Sequence, residues 1–571
     1  MYIQNNKTTK NGKSYTYPLL CRKYRENGKI KTEVVANLSD FPKEAVLAIK
    51  SALQKQDDKD IMVSTKDISI KESIDYGFVM VLITIMNRLK ITQSLQKILG
   101  EQANLITLMI IGKIITRGSK LSIYNWINRN KIIADKLKID LKSLTVNSLY
   151  EALVNLSYVQ SKIEKKWNLY HKNKIDEIYL YDITSSYFEG VQNELADYGY
   201  NRDGKKGKKQ IVIGLITTKD GFPLSIEVFE GNENDHTTVI GQIQKIKNEF
   251  GSKSLVFVGD RGMRIRYNLE AMQESDKAGV NYITGLSIEE IKGLIKDDII
   301  QLDLFSKDLV EIESDGQRYV LCTNPDLEKE NSLSRSILKD KCESAICNIK
   351  LSYENRKKTN QNNLKRIAEG DKNKKLVVSF SEKQIDSYKY RVRKTLEKWH
   401  MQAFFNVTIT NEEFNLQFNY EAYLKAKQLD GKYVFVSNLS KEQMTKENIR
   451  NEYKKLQNVE HAFRDMKTSR LDIRPIFHVN ENTTRGHVFV TMFAYTIIRE
   501  IETKIFPWLQ KNNKSKKQQF SINDIEEELK MIKLNVLNFG TDYNEIKITE
   551  LSENQKEILQ VLDIDIKNLD M

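Results

Sequence analysis

Two aspartates stand where apolar strands of the expected core meet polar sequence. Asp182 follows the run IYLY and Asp260 follows LVFVG, so each carboxylate is expected at the carboxyl end of a buried strand. In open α/β sheets, that edge is where ligands bind. Two ionised carboxylates held close together repel each other unless a cation neutralises them, and carboxylate oxygens suit Mg²⁺ or Mn²⁺. Each aspartate alone fits a strand-end turn or a helix cap equally well.

A third acid, Glu460, lies in a segment with helical periodicity, for which Ser440 is the expected N-cap. Tyr453 and Lys467 stand seven residues before and after Glu460, which aligns the three side chains along one helical face. A phenol, a carboxylate and an ammonium in such a row could follow a sugar–phosphate backbone. The alternative is a solvent-exposed row in which Glu460 pairs with Arg464, four residues on. The apolar stripe beside this row consists of Leu456, Val459, Phe463 and Met466.

Three further features could contribute to the same chemistry. Asp235 and His236 could reach the site, but Asp235 also suits the N-cap of the helix that follows it. Arg261 directly follows Asp260 and is expected either near a substrate or in a structural ion pair. The loop NRDGKKGKK, residues 201–209, could contact phosphates or could simply be solvated.

The composition favours a polyanionic partner. The 571 residues carry 90 Lys and Arg against 77 Asp and Glu, a net charge of +13. Nucleic acid is the expected polyanion, and the alternative is a basic protein without such a partner. The four cysteines are scattered without a CxxC pair, as in a reduced protein without a zinc site. The N-terminus resembles no signal peptide and the apolar runs near residues 76–91 and 103–118 look too short to span a bilayer, so a cytoplasmic location is expected.

The order of expected elements predicts an α/β fold. Three strands, a helix, a strand, a helix and a strand follow one another between residues 173 and 290, which matches a ribonuclease-H-like mixed sheet. A mostly β insertion, which includes one charged helix in residues 344–376, interrupts this core. The expected regions are an N-terminal β-hairpin region (1–70), a helical region (71–172), a first core segment (173–290), the β-rich insertion (291–430), a second core segment (431–507) and a helical C-terminal region (508–571).

Three motifs, in this order, resemble the signature of the DDE transposases of bacterial insertion sequences: YDITSSYFEG, VFVGDRGM and YKKLQNVEHAFRDMK. They resemble in particular the IS-four group and its close relatives, which share a Tyr-x2-Arg-x3-Glu-x6-Lys motif. Tyr453, Glu460 and Lys467 match this motif, whereas Leu456 occupies the arginine position. The following segment resembles the family's tail through Arg474, Pro475, His478, Arg485 and His487.

The resemblance implies that Asp182, Asp260 and Glu460 are the catalytic, metal-binding triad. Two Mg²⁺ ions, for which Mn²⁺ could substitute, would assist cleavage and strand transfer on DNA. The implied partners are double-stranded DNA, both the element's terminal inverted repeats and the target, and a second copy of the chain in a synaptic homodimer. The implied DNA-binding residues are Tyr453, Lys467, Arg464, Arg261 and Arg474.

Two other functions remain open. The first is a ribonuclease-H-like nuclease or resolvase that uses the same metals without strand transfer. The second is a DNA-binding relative that has lost its activity. The helical region 71–172 is expected, by its position alone, to recognise the DNA ends.

Overall fold

The computed structural model describes residues 1–10, 13–54, 66, 68–171, 177–190, 192–306, 308–371, 380–468, 470–515, 520–539 and 544–565. Internal contacts divide the chain into two compact units. The first unit joins the two ends of the chain, Met1–Thr84 and Glu502–Met571. The second unit is the continuous segment Ile85–Ile501, and it contains every residue of the expected site.

The strands of the described residues are β1 (Tyr2–Lys10), β2 (Lys13–Glu26), β3 (Lys29–Asn37), β4 (Ser69–Asp75), β5 (Ile178–Tyr187), β6 (Gln210–Thr218), β7 (Pro223–Phe229), β8 (Leu255–Gly259), β9 (Val280–Gly285), β10 (Leu309–Ser314), β11 (Gln317–Thr323), β12 (Phe405–Ile409), β13 (Phe414–Phe418), β14 (Lys432–Ser437), β15 (Lys533–Asn538) and β16 (Asn544–Ile548).

The helices of the same residues are α1 (Lys43–Gln54), α2 (Gly77–Arg88), α3 (Ile91–Leu99), α4 (Ala103–Thr116), α5 (Lys120–Arg129), α6 (Lys131–Lys136), α7 (Val146–Tyr170), α8 (Val239–Glu249), α9 (Ile265–Ala271), α10 (Glu274–Lys277), α11 (Ile288–Lys296), α12 (Pro325–Ala368), α13 (Glu382–Lys398), α14 (Tyr420–Lys427), α15 (Lys446–Lys454), α16 (Gln457–Lys467), α17 (Glu481–Ser515), α18 (Ile522–Lys530) and α19 (Glu553–Val561).

The first unit contains two antiparallel three-stranded sheets. The expected hairpin is present as β2 and β3, joined by a turn in which Asn27 and Gly28 both have positive φ, the conformation of tight hairpin turns. Strand β1 extends this hairpin to a three-stranded sheet. The second sheet has the order β16–β15–β4, so a strand near each end of the chain pairs with the other.

The expectation of a helical C-terminal region is therefore wrong in part. Strands β15 and β16 lie between helices α18 and α19. The segment KLNVLN is only six residues long, and its partner β4 lies more than 400 residues earlier in the chain. Because a strand of this length is stabilised by its neighbours, local periodicity did not reveal it.

Helices α3 to α7 lie within the region 71–172, where helices are expected. One stretch, Ile91–Thr116, is long and apolar enough by length and composition to cross a membrane, contrary to the expectation that the apolar runs are too short. It consists of α3, a 3₁₀ turn at Gly100–Gln102 and α4, and 56% of its most apolar window is buried inside the protein. The core helices of a folded domain pass the same test.

The centre of the second unit is an eight-stranded mixed sheet with the order β10–β11–β14–β9–β8–β5–β6–β7. Strands β5, β8 and β9 are mutually parallel, and every other neighbouring pair is antiparallel. The expected succession of strands and helices from β5 to β9 is confirmed. Helices α8 and α9 contribute Ile243, Ile246 and Ile265 to one core with Tyr181 and Phe257 of the central strands.

Buried polar contacts attach helix α7 to the outer strand β7. The carboxylate of Glu164 is fully buried, accepts a hydrogen bond from the Ser225 hydroxyl at 2.9 Å and pairs with Lys245 at 2.8 Å. Burial raises the pKa of Glu164. Removing one partner of such a buried pair typically costs about 3–5 kcal/mol, so this contact holds α7 firmly on the sheet.

The expectation of a mostly β insertion at 291–430 is wrong, because helices dominate this region. Strands β10 and β11 are part of the main sheet, since β11 pairs with β14. The 44-residue helix α12 begins at Pro325, where the Asn324 side chain accepts the first backbone N–H groups. It packs with α13 and the small β12–β13 hairpin around Tyr353, Tyr388 and Phe414. Only the charged second half of α12 was recognisable as helix in the sequence.

Candidate active site

Asp182 and Asp260 stand level with each other on the two central parallel strands. The last paired residues of β5 and β8 are Tyr181 and Gly259, so the next residue on each strand is an aspartate. Asp182 is in the middle of β5, however, and not at its end as expected. Strand β5 continues to Tyr187 by antiparallel pairing with β6, because the polar residues of its second half are buried within the sheet. The parallel partner β8 ends at Gly259, so among the described residues β5 has no strand partner on that side from Asp182 onwards.

The electrostatics of Asp182 show that three carboxylates share one space. Its Oδ1 accepts a hydrogen bond from the backbone N–H of Ile183 at 2.8 Å. The pKa of Asp182 is raised to about 7, chiefly by burial and also by the negative charges of Asp260 and Glu460, while the Ile183 hydrogen bond and Arg202 oppose the rise. Unneutralised carboxylates that face one another have this effect.

Glu460 reaches this space from α16, which packs against β5 and β6. The structure divides the expected single helix into α15 and α16, with a junction at Lys455 and Leu456. Thr445 is the N-cap of α15 and accepts the N–H of Asn448, whereas Ser440 accepts the N–H of Gln443 in the preceding turn. The expectation of Ser440 as the helix cap is therefore wrong. A short polar turn is hard to distinguish from a first helical turn by sequence.

Tyr453 lies at the end of α15 and contacts Asp260 directly. Its hydroxyl donates to Oδ1 of Asp260 at 2.9 Å, and its ring packs 4.4 Å, centroid to centroid, from that of Phe435. A Cβ at Gly285 would lie 2.8 Å from the Tyr453 hydroxyl, so a glycine on β9 leaves room for the ring. Burial raises the pKa of Tyr453, as does the neighbouring Asp260. The phenol therefore keeps its proton and remains a donor to the carboxylate.

Lys467 and Arg474 converge on a buried acid that the sequence did not single out, Asp203. The Lys467 ammonium lies 3.0 Å from Oδ1 of Asp203, and Nη1 of Arg474 donates to the same oxygen. The other oxygen accepts the backbone N–H of Tyr187 at 3.0 Å, and the Asp203 side chain is only 2% exposed. Burial lowers the pKa of Lys467. The only signal in the sequence was a lone acid in the Lys-rich loop.

The remaining predicted DNA contacts are exposed. Arg261 lies in a 3₁₀ turn directly after Asp260, and its charge lowers the pKa of Tyr453, so it faces the same space. Arg464 lines an open cavity of about 460 Å³ on α16 together with Glu460. In the described part of the chain, no ion pair joins Glu460 to Arg464. The alternative arrangement, a solvent-exposed row in which Glu460 pairs with Arg464, is therefore not observed.

A fourth acid, Asp235, lies close to the turn after Asp260. Arg202 holds both of its carboxylate oxygens, at 2.7 and 2.8 Å, and a Cβ at Gly262 would lie 3.3 Å from Oδ2. Asp235 is the first residue of a 3₁₀ turn, and its N-cap is Asn234, so the expected capping role of Asp235 is wrong. Arg202 also lowers the pKa of Asp182, so the ion pair with Asp235 positions a cation beside the carboxylates.

The donor atoms at this site suit a hard divalent cation. Asp182, Asp260 and Glu460 offer only carboxylate oxygens, which Mg²⁺ and Mn²⁺ prefer. Among the described residues, no three Asp, Glu, His or Cys side chains converge closely enough to hold an ion as they stand. The Glu460 side chain is exposed at the edge of the site, so its rotation towards the aspartates is the movement that would close a metal site. The chemistry of the donors fits, and the arrangement is open.

Comparisons with known proteins identify two regions of the chain. The Transposase DDE domain family matches residues 173–497, and the IS1634 family transposase N-terminal domain matches residues 3–64. No curated protein sequence matches the chain significantly. Among solved structures, a cryo-EM piggyBac transposase synaptic complex with hairpin DNA aligns at 6% identity and a TM-score of 0.33, over 76% of this chain and 70% of that chain. A TM-score of this size does not establish a common fold.

Proposed function

Because the chain belongs to the DDE transposases of insertion sequences, we propose that it binds the terminal inverted repeats of its element, cleaves the DNA there and joins the ends to target DNA. The family is one of DNA-processing enzymes that depend on divalent metal ions. Magnesium is the proposed ion, with manganese as a substitute. The proposed setting is the cytoplasm, where a homodimer would bridge the two ends of the element.

The observation that carries this proposal is the level placement of Asp182 and Asp260 on adjacent parallel strands, with the Glu460 helix packed against the first of them. These three residues would hold the metal ions. When bound, such ions activate a water or a 3′-hydroxyl and stabilise the leaving oxygen of an in-line displacement. Tyr453 would keep Asp260 oriented through its hydroxyl, and Arg202 would offset part of the negative charge around Asp182.

The order of the strands supports a ribonuclease-H-like core. Numbered by their order in the chain, β5 to β9 lie side by side as 3-2-1-4-5, with the first three antiparallel and the last two parallel to the first. Asp182 lies on strand 1 of this series, and Asp260 directly follows strand 4. The helical hairpin α12–α13 with its small sheet would be an insertion between the fifth strand and the Glu460 helix. The helical region 71–172 remains our proposal for DNA-end recognition.

The DNA backbone would lie along the basic side chains around the carboxylates. Arg261 and Arg464 are exposed beside Asp260 and Glu460, respectively. Lys467, at the end of α16, and Arg474 both pair with Asp203. Their positions are therefore set before DNA arrives. Tyr453 is partly buried and donates to Asp260, which makes it a positioning residue for the carboxylate as well as a candidate phosphate donor.

Glu460→Gln tests the assignment of the triad. The full-length variant should lose DNA cleavage and joining by about a thousandfold or more, as groups that act as one catalytic unit do. The assay incubates a duplex carrying the element's end sequence with Mg²⁺ and measures nicked and joined products. Because Glu460 is exposed, the variant should unfold at the same temperature as the parent.

Glu447→Gln is the matched control, because Glu447 is an exposed glutamate on the neighbouring helix α15. It should retain both products. Wild-type levels of cleavage in Glu460→Gln would refute the assigned triad. Nicking without joining by the parent protein would instead identify a nuclease or resolvase.

A further inference from the structure

A second cavity, of about 490 Å³, lies in the second unit where the turn between α4 and α5 meets the segment after α16. Its lining includes Lys113 and Lys120 from the helical region and His478 and His487 from the segment that follows the α16 helix. Asp472 is the single carboxylate among the described lining residues. The triad does not line this cavity.

The two lysines are buried and meet neutral acceptors. Lys120 is 5% exposed, with its ammonium nitrogen 2.8 Å from Nδ1 of His487 and 3.5 Å from Nε2 of His478. Lys113 is 4% exposed and donates to the backbone carbonyl of Asp472 at 3.0 Å. No carboxylate is within ion-pair distance of either lysine in the described part of the chain.

A charged amine at Lys120 is unfavourable in this position without an anion. Burial lowers the pKa of Lys120 well below its ordinary range, and the charge of Lys113 lowers it further. Burial also lowers the pKa values of His478 and His487, so both imidazoles are neutral. The other charged groups that line the cavity are Asp472, Arg117 and Arg474. Buried charges are normally paired, so groups arranged in this way suit an anionic ligand.

We propose that this cavity binds a phosphate group, supplied by the DNA backbone, through Lys113 and Lys120. The inference rests on the proposed function in one respect, the identity of the DNA as the source of the phosphate. Phe477 and Val479 line the same cavity and are 68% and 61% exposed, and an exposed aromatic ring suits a nucleotide better than a free ion. Arg474 lines the cavity and shares Asp203 with Lys467, so one DNA strand could follow these cations from the active site.

The first test uses inorganic phosphate and does not depend on transposition. At pH 8, sodium phosphate should raise the unfolding temperature of the full-length protein more than sodium chloride at equal ionic strength, since a ligand that binds only the folded state stabilises it. The difference should vanish in Lys120→Met, which keeps the volume of the side chain and removes the amine. Calorimetry of phosphate binding in two buffers should show proton uptake, because an anion restores the charge of Lys120.

The second test uses a duplex carrying the element's end. In Lys120→Met, the slope of the logarithm of the binding constant against that of the salt concentration should become shallower by about one. Lys358→Gln, an exposed lysine on α12 outside the cavity, should leave the slope unchanged. A phosphate effect with an unchanged slope would keep the phosphate site but overturn DNA as its source.

The absence of both effects in a folded Lys120→Met protein would overturn the proposal entirely. The activity of Glu460→Gln is independent of either result, so a failure of the proposed function would be recognised separately. If Lys358→Gln made the salt dependence of DNA binding shallower by the same amount, the proposal would also be overturned. The effect would then come from the net charge of the protein and not from this cavity.

Discussion

At the scale of single residues, the candidate site depends on the protonation states of Tyr453 and Asp182. Tyr453 keeps its proton because burial raises its pKa, and it gives that hydrogen bond to Asp260. Asp182 holds a proton up to about pH 7 because burial and two other acids disfavour its charge. A bound divalent cation would counter the effect on Asp182 by supplying positive charge. Asp182 is therefore the residue whose protonation a bound cation would change.

Tyr453→Phe should slow DNA cleavage by about 10- to 100-fold, because a hydrogen bond to a charged group contributes about 1.5–3 kcal/mol. It should also raise the Mg²⁺ concentration required for half-maximal activity, since Asp260 loses the group that orients it. Cleavage rates measured over a Mg²⁺ titration test both effects. Tyr390→Phe, on the exposed face of α13, is the control. An unchanged Mg²⁺ requirement would remove the positioning role.

Lys113 predicts a pH dependence of stability. Burial lowers its pKa to about 8, against an ordinary value of 10.5 in the unfolded chain. Between these values the unfolded state binds more protons, so the wild-type protein gains stability as the pH rises, by up to about 3 kcal/mol. Lys113→Met lacks this contribution. In urea unfolding, the free energy of unfolding of Lys113→Met relative to that of the wild type should be largest at pH 7 and decrease towards pH 10. A difference between the two proteins that does not depend on pH would contradict this prediction.

At the scale of elements, the junction between α15 and α16 sets the positions of Tyr453 and Glu460. Leu456, which occupies the arginine position of the motif that this helix resembles, is 7% exposed. Its side chain therefore belongs to the core and does not face the carboxylates. The junction turns each helix so that Tyr453 approaches Asp260 while Glu460 approaches Asp182. Arg202, Arg261 and Arg464 surround the same space and could supply the missing cation.

Leu456→Arg should therefore place its guanidinium in the core and not beside the carboxylates. Burying a guanidinium in this core should lower the free energy of unfolding by about 3 kcal/mol or more, through lost apolar contact and an unpaired charge. Leu456→Met should cost less than about 1.5 kcal/mol, because the volume is nearly conserved. Urea unfolding of both variants provides the measurement. A stable Leu456→Arg protein with tighter DNA binding would show that the position is free to face DNA.

At the scale of the whole molecule, charge and topology make separate contributions. The net charge of +13 favours association with a polyanion of any sequence. The first unit is assembled from both ends of the chain through the β4–β15 pairing, whereas the second unit contains the sheet and all the candidate site residues. Catalysis is therefore assigned to one continuous segment of the chain.

Binding to an end-sequence duplex should weaken steeply with salt. If about six to ten phosphates are neutralised, the affinity should fall by about 10³- to 10⁵-fold between 50 and 200 mM salt. Fluorescence anisotropy with a labelled duplex measures this dependence, and an unrelated duplex of equal length separates the general from the specific part. A nearly flat dependence would exclude extensive backbone contact.

The amino-acid sequence alone predicted the three candidate carboxylates and the local elements that carry them. The apolar runs before Asp182 and Asp260 and the periodicity around Glu460 are patterns within about ten residues, and strands and helices form where they predict them. The charge balance likewise requires no structure. Local patterns determine these features because backbone propensity and the alternation of apolar residues act over short distances.

Only the tertiary structure decided how these elements meet. The register that sets Asp182 beside Asp260, the pairing of β11 with β14, and the convergence of Lys467 and Arg474 on Asp203 join residues that are far apart in the sequence. Each depends on which distant surfaces pack together, and no local pattern encodes that choice. The same reason explains why the helical insertion, the strands near the C-terminus and the cavity lined by Lys113 and Lys120 were not evident before the chain was folded.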